Sequence, residues 1–378
     1  MNSSVFDALR RWPDVEAPEL FAVDAADRLL LDEAASALAA PGADVAVIGD
    51  DFGALTLGAV VRHDLPRVRV HQDPLCGELA LAANAATVGV APERFASHAA
   101  PEAALVAEAT VVLVKLPRSL EALDATARLV ARYARPDVLV FAGGRVKHMT
   151  RAMNDVLGRS FEEVRASLGR QKARVLTASR PRQGVEPAAV REVRQEDVGL
   201  RVCAVGGAFA GASTDIGTRV LLDHLDAVLD SIPSPGTVVD LGCGTGLLAA
   251  AAARSVPGAR VIATDQSADA VASAALTASA NGCSDRITVT RDDAGARIPS
   301  GSVDLVLLNP PFHVGGAVHT AIASKMFRAA SRMLAPGGAL VTVWNSHLRY
   351  RQELERVVGP TRQIARTPKF TLTVSTRR

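Results

Sequence analysis

The sequence predicts an α/β protein made of two tandem copies of one domain, with the chemistry in the second, and three observations predict it. First, Thr237-Val238-Val239-Asp240-Leu241-Gly242-Cys243-Gly244-Thr245-Gly246 runs an apolar strand into a glycine-rich turn, and the Ala-rich helical stretch 247–254 follows. Second, the apolar run 303–308 ends in Asn309-Pro310-Pro311-Phe312-His313, which reads as a buried strand closed by a rigid corner. Third, both patterns recur upstream. Ile48-Gly49 and Gly53 fall 193 residues before Leu241-Gly242 and Gly246, and the run ending in Lys115-Leu116-Pro117-Arg118 falls 194 residues before the one ending in Asn309-Pro310-Pro311-Phe312. Two copies of one fold are the economical explanation.

Composition sets the bounds. At 378 residues the chain exceeds the usual single domain, and 48% hydrophobic residues suffice for full cores. A net charge of +2 does not by itself demand a polyanionic partner. Cys76, Cys203, Cys243 and Cys283 are scattered without metal-binding or disulfide spacing, so a reduced compartment and no metal are expected. No apolar run is long enough to span a membrane and the start lacks a signal core, so the expectation is a soluble, cytoplasmic protein.

In chain order, residues 1–40 read as helices around a proline-containing break, with Phe6, Leu9, Leu29, Leu30 and Leu38 as apolar faces. Residues 44–55 are the first strand–turn–helix pattern. There Asp50, Asp51 and Phe52 crowd the place that Cys243, Gly244 and Thr245 hold in the second copy, and Lys115, a donor only, stands in place of Asn309. Residues 141–148 are a strand end opening into a basic turn. The stretch 164–182 carries Arg165, Arg170, Lys172, Arg174, Arg180 and Arg182 without an acid, which fits either a polyanion or a solvated face and strand edge. A mixture of Pro, Gly, Gln and charge marks the linker, giving a front domain 1–184, a linker 185–200 and a back domain 201–378.

The back domain opens with residues 209–219 leading into a helical stretch 220–229, for which Ser213, Thr214 or Asp215 are candidate caps. Glycines in the turn 242–246 let a ligand lie against bare backbone at a helix N-terminus. The next two strands end in carboxylates, Asp265 and Asp292. At the corner, Asn309 offers a side-chain carbonyl, Pro310 only its backbone carbonyl, and two rings fix the backbone direction, an arrangement suited to holding an NH2 group. Beyond it come a glycine loop at 315–316, a helix over 321–334, a strand over 340–344 and two short strands around Ile364 and 370–374. That makes seven strands. From Arg349 to Arg378 basic residues outnumber acidic ones by eight to two.

The glycine turn, the two acids and Asn309-Pro310-Pro311-Phe312, arriving in this order, resemble the class I S-adenosylmethionine-dependent methyltransferases, whose domain is Rossmann-like. The resemblance implies that Asp240, Gly242, Gly244 and Gly246 form the turn that meets the methionine part, that Asp265 holds the ribose, and that Asp292 meets the adenine amine. It implies that Asn309, Pro310, Pro311 and Phe312 form the catalytic corner of members that methylate amino or amide nitrogens. Asp215 and Gly217 become candidate cofactor neighbours, with helix capping the alternative. The first copy, with an acidic pair facing the cofactor's carboxylate, is expected to be degenerate and to serve recognition or scaffolding.

Over its whole length the chain resembles the bacterial ribosomal RNA guanine-N2 methyltransferases that join a degenerate domain to an active one. The residues that carry this are Lys115-Leu116-Pro117-Arg118, Thr214-Asp215-Ile216-Gly217, Asn309–His313, Asn345-Ser346-His347-Leu348-Arg349-Tyr350 and Lys369-Phe370. The front-half length, the 345–350 motif and the terminal Lys-Phe favour the branch acting on 23S over the one acting on 16S RNA. The implied partner is ribosomal RNA or a ribosomal subunit, the enzyme acting as a monomer. A protein glutamine-amide methyltransferase and a non-catalytic RNA-binding assembly factor are the other readings. Salt-sensitive RNA binding separates the first from the preferred one, and failure to bind S-adenosylmethionine would favour the second.

Overall fold

The computed structural model describes residues 4–208, 215–232, 234–311 and 316–378. The chain divides into two compact units, Met1–Ala189 and Val190–Arg378. The segment expected as a linker, 185–200, contains a strand, Arg191–Gln195, whose side chains are mostly exposed and therefore carry no apolar alternation to read.

The front unit contains strands β1 (Val45–Ile48), β2 (Val68–His71), β3 (Phe95–Ser97), β4 (Val111–Lys115), β5 (Leu139–Arg145), β6 (Phe161–Ala166) and β7 (Ala173–Pro181). Their order across the sheet is β3-β2-β1-β4-β5-β7-β6, parallel through β5, with β7 antiparallel to both β5 and β6. Helices cover both faces, so the central strands are buried on both sides and read as continuous apolar runs. Alternate residues serve opposite cores: Val45, Val47, Val111 and Leu113 pack on one side, Ala46, Ile48, Val112 and Val114 on the other.

The back unit begins with a two-stranded antiparallel sheet, β8 (Arg191–Gln195) and β9 (Leu200–Ala204). Three side chains of the helix Ala268–Ala280 and its end satisfy the neighbouring backbone: Cys203 N donates to Thr277 Oγ1 (2.9 Å), Val205 N to Ser273 Oγ (3.0 Å) and Arg201 N to Asn281 Oδ1 (2.9 Å). The main sheet then comprises β10 (Thr237–Leu241), β11 (Arg260–Asp265), β12 (Ile287–Arg291), β13 (Val303–Leu308), β14 (Leu334–Asn345), β15 (Thr361–Arg366) and β16 (Phe370–Thr376). Its order, β12-β11-β10-β13-β14-β16-β15, repeats that of the front unit strand for strand. The seven expected strands are present, and the helix expected over 220–229 is two short helices, Ile216–Leu222 and Leu225–Leu229.

The strand order positions the site. Connections run outward from β10 to β11 and β12, and the chain then returns to the other side of β10 for β13. The gap above β10 and β13 is therefore the topological switch point, where open α/β sheets bind ligands. Leu241 pairs with Leu308 in register, so the glycine turn and the Asn309 corner leave the same sheet edge on adjacent strands.

The acid-free basic stretch falls in the β6–β7 hairpin, and part of its charge is paired: Arg165 and Arg180 with Glu163, Arg170 with Asp32. Among the described residues no helix is long and apolar enough to cross a membrane, and no group of three or more His, Cys, Asp or Glu forms a metal cluster.

Candidate active site

Gly242, Gly244 and Gly246 all have positive φ, at 77°, 51° and 77°. The turn is fastened by Gly242 N and Cys243 N, which both donate to the Thr264 carbonyl at 2.8 and 3.0 Å. Two of the glycines answer to packing: a Cβ on Gly246 would lie 2.8 Å from Ala274 Cα, and one on Gly242 2.9 Å from Met326 Cε. Gly244 is different. A Cβ there would meet nothing within 4 Å, so its bare backbone faces open space, the cradle a cofactor tail requires.

Asp265 Oδ2 accepts from Gly244 N and Oδ1 from Ser267 N, each at 3.0 Å, which fixes the carboxylate beside the turn. Asp292, 5% exposed, accepts from Asp293 N and Arg297 N at 2.9 Å. Asp240 lies beneath the turn, fully buried, with its Oδ2 accepting from Ala249 N at 2.9 Å. Burial pushes its carboxyl up to about 7, the Ala249 N–H pulls it down, and the charge of Asp265 adds to the rise.

The second half of the site gathers around Asn309. Its Nδ2 donates to Asp215 Oδ2 and to Thr218 Oγ1, both at 2.9 Å. Asp215 caps the helix Ile216–Leu222, its Oδ2 also accepting from Gly217 N (2.9 Å) and Thr218 N (3.3 Å). Gly217 is required there, because a Cβ would sit 2.8 Å from Asn309 Oδ1. With both amide hydrogens used, Asn309 Oδ1 is left buried and without a hydrogen-bond partner among the described residues. A buried acceptor in this state costs free energy until a donor arrives. Pro310 is buried and Pro311 exposed. Phe312 and His313, like Phe209 to Thr214, lie outside the described residues.

The structure thus brings Asp215, Gly217 and Asn309 into one cluster, and Asp240, Gly242, Gly244, Gly246 and Asp265 into another on the adjacent strand end; Asp292 follows β12, at the sheet's outer edge. Thr218 escaped the sequence reading. Its signal is position: it lies one helical turn after a capping Asp, on the face the cap presents.

The front unit holds the same framework with altered chemistry. Asp24 caps the helix Ala25–Glu33 as Asp215 caps its own, and Lys115 donates to Asp24 (3.2 Å) and to Asp27, the positions of Asp215 and Thr218. Gly49 and Gly53 keep positive φ. The acid that holds the helix N-terminus here comes from the turn itself, since Asp50 accepts from Leu55 N (3.1 Å) and Thr56 N (2.8 Å). In the back unit the amide equivalent to that of Thr56 is satisfied by Asp240 from the strand; in the front unit Val47 holds that strand position and the acid has moved three residues into the loop. Gln72 is the register equivalent of Asp265, and its amide donates to the Asp50 and Gly77 carbonyls.

Known protein families match the two units separately. The RLMG N-terminal domain family matches residues 3–182 and the Methyltransferase small domain family residues 199–374. Proteins named ribosomal RNA large subunit methyltransferase G are similar along nearly the whole chain. That of Pseudomonas aeruginosa is 36% identical over 369 residues, covering 96% of both chains; that of Shewanella amazonensis is 34% identical over 370 residues, covering 96% of this chain and 94% of its own. The Streptomyces coelicolor protein is 34% identical over 379 residues, covering 96% of each. A solved T. thermophilus 16S rRNA N2 methyltransferase, in complex with AdoMet and guanosine, shares the fold with a TM-score of 0.75 at 20% identity, over 94% of this chain and 92% of its own. On its sequence, its two repeated sheets and these relatives, the chain belongs to the ribosomal RNA large subunit methyltransferase G family.

Proposed function

We propose that this protein transfers a methyl group from S-adenosylmethionine to the exocyclic N2 amine of a guanine in ribosomal RNA, and that its target is in the large subunit, in 23S RNA. The observation that carries the reading is the buried, unpartnered Asn309 Oδ1 next to the open glycine turn at the switch point. Relatives 34–36% identical along the whole chain bear the large-subunit name, which supports the choice of subunit.

The residues fit the cofactor. Gly242, Gly244 and Gly246 offer backbone to the methionine part, Asp265 holds the ribose hydroxyls, Asp292 the adenine amine, and Asp240 supports the turn from below. The bound cofactor supplies an electrophilic methyl carbon on a sulfonium. Guanine N2 is a poor nucleophile because its lone pair is delocalised into the ring. Asn309 Oδ1 and the Pro310 carbonyl accept its two N–H bonds, favour its pyramidal form and aim the lone pair at the methyl carbon. The sulfonium would give up its methyl and keep the C–S electron pair, and the amine, its hydrogens held by these two oxygens, would release one proton to water, so no strong base is needed. This is catalysis by positioning and electrostatic preorganisation. Pro311 stiffens the corner, and Phe312 is assigned to stack on a flipped base, worth about 1–3 kcal/mol.

The front unit, its turn carrying Asp50 and Asp51 and its corner Lys115, is assigned to RNA recognition or scaffolding. The enzyme is assigned as a cytoplasmic monomer. Transfer of labelled methyl to separated ribosomal RNAs and subunits from cells lacking this protein, followed by nucleoside analysis, tests the assignment. N2-methylguanosine in large-subunit RNA is the expected product; label in small-subunit RNA or in protein would overturn it.

A further inference from the structure

We propose that Asp215 is a positioning residue for methyl transfer, acting through Asn309: its carboxylate selects the one amide orientation in which oxygen, not NH2, meets the substrate amine. An amide side chain is nearly symmetric in shape, and the flipped form of Asn309 would present a donor to a donor. Packing alone does not distinguish the two. The carboxylate does, because it only accepts, and a flipped amide would put Asn309 Oδ1 against Asp215 Oδ2. With Asp215 Oδ2 and Thr218 Oγ1 each 2.9 Å from Nδ2, both amide hydrogens are committed to the helix. What remains is the buried Oδ1 with no partner among the described residues.

The front unit supplies an independent observation. There the corner has lost its Asn, yet the capping acid is kept and binds whatever donor replaces it: Lys115 Nζ reaches Asp24 and, one helical turn on, Asp27. The constant element of this corner in both copies is thus an acceptor pair on the helix that aims a donor. In the back unit Thr218 replaces the second acid, as a neutral amide requires, and leaves the orienting charge to Asp215.

This inference rests on Asn309 being the amine acceptor, and the test separates the two. In the full-length enzyme, Asp215→Asn replaces the oxygen that both caps the helix and accepts from Asn309 Nδ2 by an amide that presents either oxygen or NH2 at that place; where NH2 is presented the Asn309 amide flips, and the flipped form stalls on donor–donor contact. The expected result is a fall in kcat of roughly 10- to 100-fold, with the KM for RNA and the affinity for S-adenosylmethionine nearly unchanged and the melting temperature lowered by no more than a lost helix cap accounts for. Asn309→Asp alone sets two carboxylates face to face and is expected to be poor. Combined with Asp215→Asn, the amide introduced on the helix turns its NH2 to the carboxylate introduced at the corner, giving up the cap that the same position held; the other carboxylate oxygen faces the amine, and activity recovers above that of Asn309→Asp although the melting temperature does not. A merely structural cap would show neither the kcat-only loss nor the rescue. Wild-type kcat in Asp215→Asn, or a loss that follows cofactor affinity and melting temperature, overturns the inference. If Asn309→Ala itself transfers methyl normally, it is the acceptor role of Asn309 that fails.

Discussion

Lys115 in the front sheet and Asn309 in the back sheet occupy one topological position. Each directly follows the residue that pairs with the end of the glycine-turn strand, Val114 with Ile48 and Leu308 with Leu241. One is a cation held by three acids, Asp24, Asp27 and Asp51; the other is an amide held by one acid and a hydroxyl. The same scaffold is a staple in one copy and keeps a buried, unpartnered acceptor in the other.

The staple makes a stability prediction. Burial acts to lower the Lys115 ammonium, but Asp27, Asp51 and Asp24 together hold it charged, well above its ordinary range. Lys115→Met strands these carboxylates and is expected to cost about 3–5 kcal/mol, the scale of breaking a buried ion pair from one side. The full chain should show an earlier denaturant transition, and an unchanged curve would mean that the cluster is dispensable. Lys115→Asn should not create a second cofactor site, since the turn still carries Asp50 and Asp51 where the back unit has Cys243 and Gly244, and calorimetry should return one S-adenosylmethionine per chain.

Asn309→Ala removes the unpartnered acceptor while leaving the glycine turn intact. Methyl transfer is expected to fall on the order of 100-fold or more, the scale of deleting one preorganised polar group from an active site. Calorimetric affinity for S-adenosylmethionine should stay within a few-fold of wild type. Transfer at a normal rate would remove Asn309 from the mechanism.

What the sequence made legible was local. The apolar runs 237–241 and 303–308, buried on both faces, announce central strands, and the glycines and prolines that end them mark the sheet edge where the site lies. The partners of Asn309 were not legible, because Asp215 and Thr218 lie 94 and 91 residues away and meet it only once the helix before β10 is placed. Val47 and Asp50 show a second limit: the buried acid under the turn migrated along the chain, and only the hydrogen bonds to Thr56 N and Ala249 N reveal that both acids do one job. The strand Arg191–Gln195 escaped because an exposed edge needs no apolar period.

Asp265→Ala tests the cofactor half of the site. The carboxylate is fixed by Gly244 N and Ser267 N beside the open backbone of the turn, where ribose hydroxyls would meet it. Hydrogen bonds to a charged group are worth about 1.5–3 kcal/mol. The dissociation constant for S-adenosylmethionine is therefore expected to rise by roughly 10- to 100-fold, with RNA binding by the cofactor-free protein unaffected in a filter or mobility assay. Unchanged cofactor affinity would relocate the ribose.

Asp240 gives the pH prediction. Burial, reinforced by Asp265, lifts its carboxyl from the ordinary 3.8 to about 7, so between those values the folded state binds a proton that the unfolded chain releases. The contribution to stability is fully present below about pH 4 and is lost as pH rises through about 7, a loss of roughly 4 kcal/mol in all. Asp240→Asn keeps an acceptor for Ala249 N without the charge. Its stability relative to wild type should therefore improve from pH 4 to pH 8, read from denaturant midpoints. The cofactor carries a net positive charge and favours the ionised carboxyl, so S-adenosylmethionine affinity in the wild type should climb as pH rises through 7. Binding should release protons, visible as a buffer-dependent heat in calorimetry. A pH-independent difference between wild type and Asp240→Asn would mean that Asp240 is ionised throughout, and the burial argument would fall with it.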